Sequence, residues 1–169
     1  MGVRCTMVQF LMRFLRRFCA STAEPHGRSA PLPHHPLARY IYNADYMNVP
    51  ARAVKYRAFM PRNGETSVFD VAGLPVPSVW QRGHEVGRAS GRSLCGMGEV
   101  TYGGVQSVGL RVQNAEPPPR HANIVDWPPE KDAQKVIAMD LAASAVLCLE
   151  ADPNPVSARS NASRRPRRL

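Results

Sequence analysis

A chain of 169 residues that is 44% hydrophobic is long enough for one domain of ordinary size and too apolar for wholesale disorder. Its formal charge of +9 does not describe a uniformly basic body. The segment from Arg39 to Asp152 holds nine Arg, three Lys and twelve carboxylates and is neutral, with +4 before it and +5 after it, so a domain coated with positive charge is excluded.

Sixteen Pro and twelve Gly argue for short elements and many turns. Nineteen Arg against three Lys, and seventeen Val against three Ile, are the bias of a GC-rich, bacterial-like coding sequence, so only the clustering of the arginines bears on partners. Cys5, Cys19, Cys95 and Cys148 are widely spaced and form no CxxC pair, which points to thiols with incidental or packing roles in a reducing compartment.

In chain order, residues 1–21 place Met7, Leu11, Phe14, Leu15 and Phe18 at helical spacing, opposed by Gln9, Arg13, Arg16 and Arg17. This is a basic amphipathic helix, or an extension that is not native to the protein. The arginines interrupt it well short of the ~20 apolar residues a bilayer span needs. Residues 22–38 read as a linker, because Pro25, Pro31, Pro33 and Pro36 block regular hydrogen bonding. His26, His34 and His35 lie in it without a scaffold to fix metal-ligand geometry.

A single α+β domain is expected over 39–152, beginning with a strand near Arg39 to Tyr42. Ala53 to Met60 alternates like a half-buried strand, Asn63-Gly64 suits positive φ, and Thr66 to Val71 is the expected return strand of a hairpin. Ser78 and Gln81 have the spacing of a capping box before a helix at about 78–86. Leu94 to Val100 predicts a strand broken by Gly96 and Gly98, Gly109 to Gln113 another with Leu110 and Val112 inward, and His121 to Val125 a buried one. The main helix is expected over about 129–150, opened by Pro129 and striped by Ala133, Val136, Ile137, Leu141, Ala145 and Cys148. Four to five short antiparallel strands, covered on one face by both helices, complete the predicted fold. Residues 153–169 are a small, polar, Arg-rich tail too poor in apolar residues to fold alone.

The chemistry-bearing residues gather at two places. Arg120, His121, Asn123, Asp126 and Lys131 lie where a strand enters a helix, and His121 with Asp126 has the residue types of a general base and its orienter. Arg120 there suits an anionic substrate. Arg88 and Arg92 recur in a Gly-Arg loop able to wrap an anion, though it lacks the lysine of a phosphate-binding loop. In the tail, Arg164, Arg165, Arg167 and Arg168 offer phosphate neutralisation that is salt-sensitive and blind to sequence.

The sequence places no nucleophile, no metal site and no cofactor motif. A non-catalytic binding or accessory protein is therefore preferred, its neutral domain contacting a protein and its basic termini contacting nucleic acid or anionic membrane. A small hydrolase or nuclease using His121 and Asp126 is the first alternative, and a membrane-peripheral protein held by the first helix the second. The expected location is cytoplasmic, with membrane-surface or organelle targeting if that helix exists.

Overall fold

The computed structural model describes residues 32–151. Strands β1 (Pro36–Ile41), β2 (Met47–Asn48), β3 (Ala53–Val54) and β4 (Thr66–Asp70) precede helix α1 (Val76–Ala89). Strand β5 (Gly96–Thr101), the short helix α2 (Tyr102–Ser107), strands β6 (Arg111–Asn114) and β7 (His121–Val125), helix α3 (Lys131–Ser144) and strand β8 (Val146–Cys148) follow. Short 3-10 turns span Ala44–Tyr46 and Tyr56–Ala58. The expected amphipathic helix at 1–21, most of the linker at 22–38 and the arginine tail at 153–169 lie outside the described residues.

The fold is α+β. Six strands form one antiparallel sheet in the order β6-β7-β4-β1-β5-β8, and β2 with β3 makes a separate two-stranded ribbon. β1 is central, paired with β5 along its whole length and with β4 on the other side. It starts inside the stretch read as linker, at Pro36, where a residue without an N–H is tolerated as the first of a strand.

The two helices lie on opposite faces of the sheet, not on one. Alternation along β1 sends Leu37 and Ile41 into a core with Phe59, Val68, Val100, Ile124, Ala138 and Leu141, the last two from α3. Ala38 and Tyr40 point the other way, to Phe69, Met97, Val79 and Trp80, the last two from α1. A strand covered on both faces loses the simple inside/outside alternation, which is why β1 reads as short from sequence.

The expected hairpin between 53–60 and 66–71 does not form. Asn63 and Gly64 do take φ of 54° and 80°, and the amides of Arg62 and Glu65 bond each other's carbonyls at 2.8 and 3.2 Å. That pairing stops after one residue pair. Tyr56–Ala58 turns as a 3-10 helix, so Ala58 and Phe59 are buried side by side at 1% and 0% exposure, which strand alternation forbids. β4 pairs instead with β1 and β7.

Helix α1 begins before Ser78 and runs past the expected end. Its start is set by Pro75 at the cap and Pro77 in the first turn, without a side-chain cap, and Gln81 bonds Glu85 one turn on at 3.0 Å. Gly83 and Gly87 lie where neighbouring chain passes close, Tyr40 of β1 and Leu94 at the first, Tyr42 and Arg92 at the second. Tyr40 donates its hydroxyl to the Val79 carbonyl at 2.8 Å, and Tyr42 to that of Gly83 at 3.0 Å. A Cβ on Gly83 would lie 2.9 Å from the Tyr40 ring, and one on Gly87 only 2.6 Å from the Arg92 carbonyl oxygen.

The main helix is shorter than its apolar stripe. It ends at Ser144, Ala145 is extended, and Val146–Cys148 pairs with β5 as an edge strand. Val136, counted in the stripe, is 59% exposed. Among the described residues no helix is long and apolar enough to cross a membrane.

Candidate functional site

The structure separates the residues expected at the strand-to-helix junction. Asp126 sits just past β7 at φ 68°, and the Arg111 guanidinium of the neighbouring strand grips its carboxylate, Nε to Oδ2 at 2.9 Å and Nη2 to Oδ1 at 3.3 Å. That hydrogen bond raises the Arg111 pKa. Both side chains are more than half exposed. The orienter of His121 is a different group, the Ala115 carbonyl, 3.0 Å from Nδ1. Arg120 sends its guanidinium to the Ala72 carbonyl at 2.7 Å, tying down the loop after β4.

A residue the sequence did not single out replaces Asp126 beside His121. β4 and β7 pair with Phe69 opposite His121 and Ser67 opposite Asn123, so Ser67 and His121 are diagonal neighbours on the α1 face. Ser67 Oγ lies 2.7 Å from His121 Nε2. Asn123 donates from Nδ2 to Glu65 Oε2, and Gln113 of β6 stands opposite Asn123, exposed. The His121 ring is 5.1 Å from the Phe69 ring, and Arg82 of α1 reaches over to the Pro119 carbonyl at 2.8 Å. Nothing local in the sequence signals this cluster, because it depends on the register of two strands 54 residues apart.

The other flank of α1 holds Arg88 and Arg92. Together with Trp80, Leu94, His84 and Glu150 they line an open groove of about 850 Å³. Its floor is apolar, with Trp80 buried and Leu94 half-buried. Glu150, the groove's one carboxylate, is taken by His84 at 2.9 Å. Arg92 bonds the Ser90 hydroxyl at 3.1 Å and stacks 4.9 Å from the centre of the Tyr42 ring. Arg88 is exposed and has no hydrogen-bond or ion-pair partner among the described residues. Among the described residues, then, the groove presents two arginines that no carboxylate pairs with.

A third arginine was missed. Arg39, between Leu37 and Ile41 on the α3 face, donates Nε to the Ala58 carbonyl at 2.7 Å and Nη1 to the Ser67 carbonyl at 2.9 Å. Burial, followed by repulsion from Arg62, lowers its pKa to about 10. Among the described residues no carboxylate bonds it, and its donors go to carbonyls that would otherwise be buried without partners. Burial also pushes the Tyr42 phenol up to about 12 and raises that of Tyr40.

Among the described residues no three His, Cys, Asp or Glu side chains converge as a metal site requires. His34 and His35 stack edge to face, 5.5 Å apart. Of the expected packing roles, Cys148 is placed for one, being buried, whereas Cys95 is exposed. Arg164, Arg165, Arg167 and Arg168 lie outside the described residues. No protein-family model, no curated protein and no solved structure matches the chain.

Proposed function

We propose that the domain is a binding module whose α1 groove takes an acidic, partly apolar segment of a protein partner. The observation that carries this reading is the uncompensated pair Arg88 and Arg92 above an apolar floor made by Trp80 and Leu94. Carboxylates of a partner would meet guanidinium groups with open donors, and a Leu or aromatic side chain beside them would cover the floor. A nucleic acid fits less well. The domain is neutral from Arg39 to Asp152, so it offers few phosphate contacts to drive counterion release, and Glu150 stands in the groove. The arginines after Asp152 would add salt-sensitive attraction to any polyanion, nucleic acid or anionic membrane included, without choosing it.

Selection from a random peptide display library against the full chain tests this. Enrichment of Asp and Glu next to Leu or aromatic residues is expected, with an affinity that falls about tenfold or more when Arg88→Ala and Arg92→Ala are combined. Selected peptides without carboxylates, or an affinity the double substitution leaves intact, would remove the groove from consideration.

A further inference from the structure

We propose that Ser67 is a nucleophile activated by His121, and that the polar part of the sheet beyond α1 is a site for hydrolysis of carboxylic esters. The argument starts from the hydrogens. A backbone carbonyl only accepts, so the 3.0 Å contact from the Ala115 oxygen to His121 Nδ1 places the ring proton on Nδ1. In the neutral ring Nε2 then carries a lone pair, and at 2.7 Å Ser67 Oγ is the donor. This is the proton arrangement a serine needs before attack: its hydrogen already directed at a base, and the base held in one tautomer from behind.

The hydroxyl's partner sets it apart from other serines among the described residues. Ser90, Ser107 and Ser144 each donate to a carbonyl within their own helical turn, whereas Ser67 reaches an imidazole from another strand. Both partners stand on paired strands of the central sheet, a more rigid support than loops. Both are half-buried, and the register sets Asn123 across from Ser67 on the same face, its Nδ2 donating to Glu65, with Gln113 one strand further out.

In the reaction, Oγ bonds to the ester carbonyl carbon as its proton passes to Nε2. The carbon–oxygen bond to the leaving alcohol then breaks, and the alkoxide takes the proton from Nε2. Water, deprotonated by Nε2, adds to the acyl-serine and releases the acid, and Oγ recovers its proton, so ester and water become acid and alcohol. Esters are favoured over amides because the group behind the imidazole is a neutral carbonyl. It stabilises the imidazolium less than a carboxylate would, and the poorer amine leaving group demands more of it.

The full chain is treated with a fluorophosphonate probe and, separately, with p-nitrophenyl acetate. The expected result is a covalent adduct mapped by mass spectrometry to Ser67, absent in Ser67→Ala and formed about 100-fold more slowly in His121→Gln. No adduct, an adduct elsewhere, or a Ser67 adduct indifferent to His121→Gln would overturn the proposal. Should either variant fail to fold, Ser67→Cys preserves the geometry. Its new thiol should react with iodoacetamide at neutral pH faster than the exposed Cys95 of the same chain, because the imidazole draws off its proton; an equal or slower rate would sink the idea. This site is on the flank of α1 opposite the arginine groove, so each proposal can fail without the other.

Discussion

The two faces of the central sheet are built differently. On the α3 face, Leu37, Phe59, Ile124 and Leu141 are wholly buried among other aliphatics, and the polar groups there, Thr66 and Arg39, spend their donors on backbone carbonyls. On the α1 face the helix rests on two glycines and two tyrosine hydroxyls. Apolar residues fill only the strip beneath it, and polar side chains flank it on both sides. One face concentrates the burial that stabilises the fold; the other is tight in the middle and free to carry chemistry at its margins.

The sharpest way to break this contrast is Phe59→Ala. Phe59 is fully buried on the α3 face, and its loss should cost about 3–5 kcal/mol in urea unfolding. A cost no larger than that of an α1-face change would erase the distinction. Next comes Gly87→Ala, which in an exposed helix would gain up to about 1 kcal/mol. Here the added carbon meets a backbone oxygen at 2.6 Å that cannot swing aside, so a net loss of about 1–3 kcal/mol is expected.

The smallest effect sharpens the role of the tyrosines. Burial holds the Tyr42 proton up to about 12, so between the ordinary phenol value near ~10 and about 12 the folded state binds more protons than the unfolded one. Stability is full below that window and falls as pH rises through it. Tyr40, also raised by burial, adds to the fall. Arg39, lowered to about 10, opposes it, since there the unfolded chain binds the extra proton. With two phenols against one guanidinium the net slope should be negative. Tyr42→Phe should lower the plateau by about 1 kcal/mol through the lost bond to Gly83 and flatten the alkaline fall, as thermal melts across pH would register.

Local signals carried much of this architecture. β7, the body of α1, the turn at Asn63-Gly64 and the start of α3 were legible because periodicity, proline placement and turn residues act within a few positions. The failures share one cause. Residues 53–60 alternate like a strand, yet the side chains of Ala58 and Phe59 are pulled to the same core by the sheet above them. Val146 to Cys148 continues a helical stripe, yet β5 offers an edge to pair with. Gly83 and Gly87 weaken a helix that is held because Tyr40 and Tyr42 lie under it. The candidate sites divide the same way. Arg88 and Arg92 are four residues apart and were found together, whereas Ser67 meets His121 only through long-range strand register, and Asp126, close in sequence, is drawn off by Arg111.

The position of β8 at an edge of the sheet, after α3, bears on how the chain is made. β1, β4 and β5 can assemble as soon as residue 101 is available, but on the outer side of β5 the backbone of Met97 to Glu99 waits for its partners until residues 146–148 arrive from the ribosome. Throughout that interval the nascent domain carries an open strand edge, the kind that invites a neighbouring chain to pair with it. The last three residues to join the sheet thus act as its seal, and Glu150, reaching back to His84 on α1, latches the seal in place.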